Sequence, residues 1–362
     1  MPKNKLTLLI DGNWLMMSRM AMYVDEFDKS NPTQSKQKAS ENLKDFMAKS
    51  INVIINRFKD IDNIIFLSDG GSWRKKVVTP VLMGDETYKG NRTHDSEIDW
   101  NYIYKAFNEL FASCKNSGIT CSQCLDCEGD DWVWYWSTKL NKEGINCLIW
   151  SSDNDLKQLI RYDEVNHSFT AWYNDNNGLY LPSNLDHSND DPLQFFMSSD
   201  FQTNAILESI KPYVKKDIYY INPIDIVIDK IFQGDSGDNV KPIILYKKGS
   251  RNYKLSKKEF REVVNKFNIK EVEDLKVQRE NISEYLANKF KKYNIPSTYI
   301  SDMIFYNTTL VWLNKEVIPE EIVQNMEKNS YYNICDIGYI RSNYKSIIGD
   351  QNTDIESIFD SI

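Results

Sequence analysis

The chain lacks any apolar run of membrane-spanning length. Ahead of Asp11 its N-terminus offers only the short apolar stretch "LTLLI" at 6–10, too short for a signal-peptide core, so an intracellular, cytoplasmic protein is expected. In that setting the six cysteines are expected as reduced thiols. Histidine is scarce: His94, His167 and His187 fall outside the acidic motifs described below, which weighs against zinc or His-ligated iron. Internal repeats are missing, and so is an overall basic excess. The net charge of −8 argues, averaged over the chain, against nonspecific nucleic-acid binding. With 362 residues, 41% hydrophobic and 13% aromatic, the composition suits one large or two ordinary folded domains.

The first half alternates short apolar runs with helical spacing. "LTLLI" (6–10), "NIIFLSD" (63–69) and "GINCLIWSSDND" (144–155) read as buried strands, each ending in aspartate. Between the first two, Leu43, Phe46, Met47, Ile51, Ile54, Ile55 and Phe58 have helical spacing, with Ser40 a cap. Strand–helix alternation predicts βαβ units and a mainly parallel sheet, in which ligands bind beyond the carboxyl ends of the strands. Residues 71–100 are polar and basic and interrupt the alternation. Residues 174–192 read as a long surface loop, and helical, polar sequence follows from 193.

Charge is segregated. "CEGDDWVWYW" crowds Glu128, Asp130 and Asp131 at the start of a buried helix, where capping needs only one or two carboxylates. With Asp11, Asp69, Asp153, Asp155, Asp235 and Asp238 they form a set whose mutual repulsion calls for a counter-cation. Hard oxygen ligands select Mg²⁺ or Mn²⁺, and so many suit two ions, a pair able to serve in-line displacement at phosphorus. Trp132, Trp134 and Trp136 read as packing residues before base-stacking ones.

In order along the chain, "LLIDGN", "FLSDG", "EGDD", "SSDNDLKQL" and "GDSGDN" resemble the motifs of the 5′-nuclease superfamily of flap endonucleases and 5′→3′ exonucleases. "YKGNR" (88–92) is similar to the helical-arch segment of its phage members, and "GDSGDNV" to the T-even phage ribonuclease H branch. The resemblance covers roughly residues 5–165 and 222–240. It implies an α/β, PIN-like twisted mainly parallel sheet with flanking helices (1–188, with a basic arch at about 71–100). A smaller helical, helix-turn-helix-like DNA-binding and C-terminal region (189–362) would follow. One Mg²⁺, for which Mn²⁺ would substitute, would draw on Asp11, Asp69, Glu128 and Asp130. A second would draw on Asp131, Asp153, Asp155, Asp235 and Asp238, partly through water. Lys89 and Arg92 would reach the scissile phosphate.

Two basic stretches would hold nucleic acid: "SWRKKVVTPVLMGDETYKGNR" (72–92) with Arg74, Lys75 and Lys76, and "KPIILYKKGSRNYKLSKKEFR" (241–261) with Lys241, Lys247, Lys248 and Arg251. The second replaces the family's Gly-Ile-Gly turn, so the monovalent-cation site of many relatives is not expected. Cys121, Cys124 and Cys127 are spaced for metal, but on a strand through "TCSQCLDC" Cys124 would face away from the other two; buried thiols are the default.

The expected activity is that of a monomeric, phage-type 5′→3′ exonuclease and flap endonuclease of ribonuclease H type, acting in replication. It would take DNA and RNA·DNA duplexes with 5′ ends or flaps as substrates. A PIN-like single-strand ribonuclease would lack the arch and the "GDSGDN" segment, and a non-catalytic DNA-binding relative would lack a carboxylate. An aspartyl phosphatase would need a second Asp where Asn13 stands. The acidic tail "NTDIESIFDSI" (352–362) is expected as a terminal helix, with docking on a sliding clamp or single-strand-binding protein the alternative.

Overall fold

The computed structural model describes residues 5–77, 87–186, 201–248 and 250–348, with backbone alone at 201–204 and 248. The middle of the expected arch, the 188/189 boundary and the C-terminal tail lie outside the described residues. No described helix is long and apolar enough to cross a membrane.

Strands β1 (Leu6–Asp11), β2 (Ile61–Leu67), β3 (Thr120–Ser122) and β4 (Asn146–Trp150) are mutually parallel, in the spatial order β3-β2-β1-β4. Beyond β4 the sheet continues through β6 (Ser168–Asn174), β7 (Gly178–Pro182) and β8 (Ile218–Ile221), with short β5 (Arg161–Asp163) pairing on β6. Continuous apolar runs form these central strands because helices cover both faces. Residues of β1 alternate accordingly: Leu8 and Ile10 enter one cluster with Phe66, Leu148 and Trp150, while Leu9 enters the opposite one with Ile65, Leu67 and Ile149.

Helices α1 (Gly12–Met20), α2 (Thr33–Arg57) and α3 (Trp100–Asn116) cover the first face. Helix α2 begins seven residues before the expected cap Ser40, directly after Pro32. The Ser40 hydroxyl is instead buried inside it and donates to the carbonyls of Lys36 (2.9 Å) and Tyr102 (3.0 Å). Helix α4 (Gly129–Lys142) covers the second face, where Trp132 and Trp136 are fully buried and the Trp136 indole donates to Ser122 (2.9 Å). The tryptophans are therefore packing residues.

Two expectations change. The strand expected through "TCSQCLDC" stops at Ser122; the chain turns through Asp126 in the left-handed region (φ 63°), which brings Cys124 and Cys127 within hydrogen-bonding reach. All six cysteines are free. The loop expected at 174–192 begins instead as a β6–β7 hairpin. Gly178 serves its turn at φ 94°, and a Cβ there would lie 2.2 Å from the Asp217 carbonyl.

After α5 (Phe201–Ile210) and β8 comes a separate hydrophobic centre. It is built from α6 (Pro223–Gln233), the hairpin β9 (Tyr246–Lys248)–β10 (Arg251–Tyr253), α7 (Lys257–Lys266), α8 (Val272–Val277), α9 (Arg279–Lys289) and α10 (Ser297–Val311). The chain then returns to the sheet. Ile322 and Met326 of α11 (Glu320–Asn329) join the second face, and Ile340 of α12 (Ile337–Ser342) joins the first. From α12 the Arg341 guanidinium donates to the carbonyls of Ile55 (3.0 Å) and Lys59 (2.8 Å). The helical centre is thus inserted between β8 and a C-terminal segment that belongs to the sheet, so hydrophobic burial divides the chain differently from a two-halves partition.

Candidate metal centre

The carboxyl ends of β1, β2 and β4 lie side by side, and the acidic motifs gather there. Asp11 closes β1 and caps α1: its carboxylate accepts from the Trp14 amide (3.0 Å) and the Ser151 hydroxyl (2.7 Å). Asp69, just past β2, accepts from the Gly129 amide at 2.6 Å, and its own amide donates to Asn13 (3.0 Å). Glu128 and Asp130 stand at the N-terminus of α4. Asp153 caps the 3₁₀ turn Asn154–Leu159 after β4, accepting from the Asp155 amide (2.8 Å). The loop after α6 brings in Asp235 and Asp238, and carboxylate oxygens of Asp155, Asp235 and Asp238 lie within 4.8 Å of one another.

Four cations enter this acidic field. Lys89 pairs with Glu128, Arg92 with Asp238, and Lys230 with both Asp155 and Asp235. Arg74 is 1% exposed and forks onto Asp131 (2.8 and 3.1 Å) and Glu128 (2.8 Å). Fully buried, Asp131 also accepts from the Trp73 indole (3.2 Å) and from the Glu128 amide (3.1 Å). These bonds occupy both of its oxygens. The structure thus sets Asp131 beneath the site with Arg74 as its ion-pair partner, and Arg74 is buried there rather than exposed as a nucleic-acid contact would be.

The remaining basic candidates scatter. Lys75 is exposed, and Lys76 pairs with Asp126 (2.5 Å). Lys247 and Arg251 are exposed on the β9–β10 hairpin, Lys248 sits on the same hairpin, and half-buried Lys241 follows the Asp238 loop. Two participants escaped the sequence reading. Tyr88 donates to Asp238 (2.9 Å), and Lys230 bridges the two acidic motifs. Lys230 did carry a signal: it is one of the few charges in an otherwise apolar helix, five residues before Asp235.

Burial pushes the Asp11 carboxyl up to about 7 and, with the charge of Asp153 adding to it, Asp155 up to about 6. Asp69 and Asp130 are raised as well, again chiefly by burial. Burial also acts on Glu128, but Arg74 and Lys89 together outweigh it and hold that carboxyl below its usual range. The donor set is all carboxylate oxygen and short of positive charge, which fits hard divalent cations.

A pH dependence follows for the metal-free protein. A carboxyl raised on folding is ionised first in the unfolded chain, so its contribution to stability falls as pH rises from about 4 to its folded value. For Asp11 the three-unit rise corresponds to at most about 4 kcal/mol. The melting temperature in EDTA should therefore be lower at pH 8 than at pH 5.5, and millimolar Mg²⁺ should restore it at pH 8. A melting temperature that rises across that interval, or ignores Mg²⁺, would refute this account of the site.

The sequence matches no family model and no curated protein. Two solved structures share its architecture. The T5 D15 protein co-crystallised with metal ions superposes with a TM-score of 0.51 at 14% identity, over 95% of this chain and 100% of that one. A bacteriophage T5 D15 flap endonuclease in a pseudo-enzyme–product complex with DNA and metal ions gives a TM-score of 0.52 at 14% identity, over 95% and 99%. The chain thus has the 5′-nuclease fold, a mostly parallel sheet with flanking helices.

Proposed function

We propose that this chain is a divalent-metal-dependent nuclease, a 5′→3′ exonuclease and flap endonuclease that acts on DNA and RNA·DNA duplexes with free 5′ ends. The observation that carries the reading is the convergence of Asp11, Asp69, Glu128, Asp130, Asp153, Asp155, Asp235 and Asp238 from five chain segments onto one sheet edge, with Lys89 and Arg92 among them. Asp11, Asp69, Glu128 and Asp130 would hold one ion, and Asp155, Asp235 and Asp238, with Asp153 between the groups, a second. Bound there, divalent ions supply Lewis acidity and a lowered water pKa; Mg²⁺ is the natural choice for oxygen ligands.

The protein's own groups do the rest. The Gly129 amide and Asn13 fix Asp69, while Ser151 and the Trp14 amide fix Asp11, so the ligand set is preorganised. Burial lowers the basicity of Lys89, but Glu128 and Asp130 outweigh it, and the ammonium stays charged above its normal range. A cation held beside the carboxylates can meet a phosphate as negative charge develops on it. RNA-primer removal at lagging-strand junctions and 5′-flap trimming are the roles this chemistry would serve.

End-labelled flap, nicked, RNA·DNA and single-stranded RNA substrates, each with Mg²⁺ or EDTA, test the reading. Mg²⁺-dependent release of 5′-terminal products from the first three is expected. Cleavage confined to single-stranded RNA would favour a PIN-like ribonuclease, and tight binding without cleavage a non-catalytic relative. Lys89→Ala should lower the single-turnover rate by about 10²–10³-fold while changing Kd little. A loss in Kd alone would make Lys89 a substrate-holding residue.

A further inference from the structure

Two thiols lie beside the metal centre without a part in it. Cys124 and Cys127 belong to the second-face cluster with Trp73 and Trp132; Cys127 is fully buried and Cys124 is 8% exposed. The chain between them is a tight turn. The Cys127 amide donates to the Cys124 carbonyl (3.3 Å), and Asp126 takes up the left-handed conformation between them. In such a turn the first and fourth Cα atoms lie within about 7 Å, a span that a disulfide can close. The two side chains meet: the Cys127 thiol donates to the Cys124 sulfur, which holds Cys124 below the usual thiol range. Leu125 at the tip of the turn is 73% exposed, so Cys124 is one residue from solvent. Cys121 is turned elsewhere and donates to the Phe111 carbonyl (3.6 Å).

The turn is bonded to the loop that carries Asp69. The Asp126 amide donates to the Gly70 carbonyl (2.9 Å), the Gly70 amide to the Cys127 carbonyl (2.8 Å) and the Trp73 amide to the Asp126 carbonyl (2.8 Å). No space separates the two: a Cβ at Gly70 would lie 1.9 Å from the Cys124 carbonyl oxygen. Asp69 precedes Gly70 and Glu128 follows Cys127, so two carboxylates of the metal centre each stand one residue from this contact. A sulfur–sulfur bond is only about 2 Å long, far shorter than the contact between two thiols, so closing it draws the turn inward. In a close-packed interior that movement passes to the backbone at Gly70 and Glu128.

We propose that Cys124 and Cys127 form a reversible disulfide that weakens ion binding at the Asp69–Glu128 side of the metal centre. The switch rests on the metal-dependent reading above and adds regulation to that site. The oxidant is a peroxide. The Cys124 thiolate attacks one peroxide oxygen, the O–O bond breaks, and Cys124 becomes a sulfenic acid as water leaves. The Cys127 thiol then attacks that sulfur, the S–O bond breaks and a second water leaves. Two thiols and one hydrogen peroxide thus give one disulfide and two waters. A dithiol reverses the step by exchange and is itself oxidised to a disulfide.

The test uses the full chain, reduced and freed of metal with EDTA. It is exposed to hydrogen peroxide, quenched with catalase and alkylated with N-ethylmaleimide in guanidinium chloride. Intact mass should show two alkylations fewer in wild type and in Cys121→Ala, each recovered after dithiothreitol, and none fewer in Cys124→Ala. Mn²⁺ titrated by calorimetry should bind the oxidised wild type about 10–100-fold more weakly than the reduced form. Cys124→Ala should bind it equally before and after peroxide. The wild-type comparison stands without either variant. All six cysteines alkylated after peroxide would overturn the switch, as would a disulfide that involves any other cysteine or leaves the Mn²⁺ affinity unchanged. In those cases the reduced protein still binds Mn²⁺ and the metal-dependent reading survives. Should the reduced wild type itself bind no Mn²⁺, that reading falls and takes the switch with it.

Discussion

Asp155→Asn should lower Mg²⁺-dependent cleavage by about 10²–10³-fold or more and, in EDTA at pH 8, raise the melting temperature. The two effects share one cause. Burial and the charges of Asp153 and Asp238 set against Asp155 outweigh its pairing with Lys230, and its carboxyl is pushed up to about 6. At pH 8 the ionised form is therefore a burden on the metal-free fold, one that the isosteric amide removes. The same charge is what would hold an ion among Asp155, Asp235 and Asp238. Asp130→Asn should behave alike, since burial and the charge of Asp153 raise it too. Near wild-type cleavage by both variants in Mg²⁺ would end the metal-centre reading. A lower melting temperature with lost activity would instead make Asp155 a structural partner of Lys230.

Arg74→Met should destabilise the protein by about 3–5 kcal/mol, because it leaves Asp131 and Glu128 buried beside each other without their shared cation. At this chain length that corresponds to a melting-temperature loss of roughly 4–7 °C. Arg74→Lys should rescue little, since a single ammonium cannot reproduce the fork across both carboxylates or the packing of the guanidinium on the Trp73 ring at 4.5 Å. Were Arg74 a nucleic-acid contact, as its place in a basic stretch suggests, the variant would melt normally and bind substrate weakly. Thermal melts in EDTA, with the Kd for a 5′-flap DNA, separate the two.

Both expectations show how the acidic residues differ in legibility. Asp11, Asp69, Asp153 and Asp155 follow apolar strands of one parallel sheet, and the strand ends of such a sheet share an edge. Their convergence can be read from one dimension. Asp131 sits in the same run as Glu128 and Asp130, yet in a helix successive residues point about 100° apart, so one side chain faces the edge while another turns inward. Which of them turned inward depended on where Arg74 came to lie, 57 residues away in sequence. Charge type alone likewise put Arg74 with Lys75 and Lys76, although only the first is buried.

The sequence by itself determined the parallel sheet, its helix-covered faces and the acidic edge, because the period of apolar residues and the residue ending each strand are local properties. It also determined that the tryptophans after Asp131 pack inward. Only the tertiary structure decided how each charge is matched. Lys230 bridges Asp155 and Asp235 from a helix more than seventy residues beyond the 3₁₀ turn, Tyr88 reaches Asp238, and Lys157 lies over the rings of Trp172 and Tyr180. It also decided that residues 313–347 return to the sheet past an inserted helical centre. Periodicity reports how much of a segment is buried; it does not report against which distant partner. An ion pair depends on distances of a few ångströms between segments far apart in the chain, and the fold alone sets those distances.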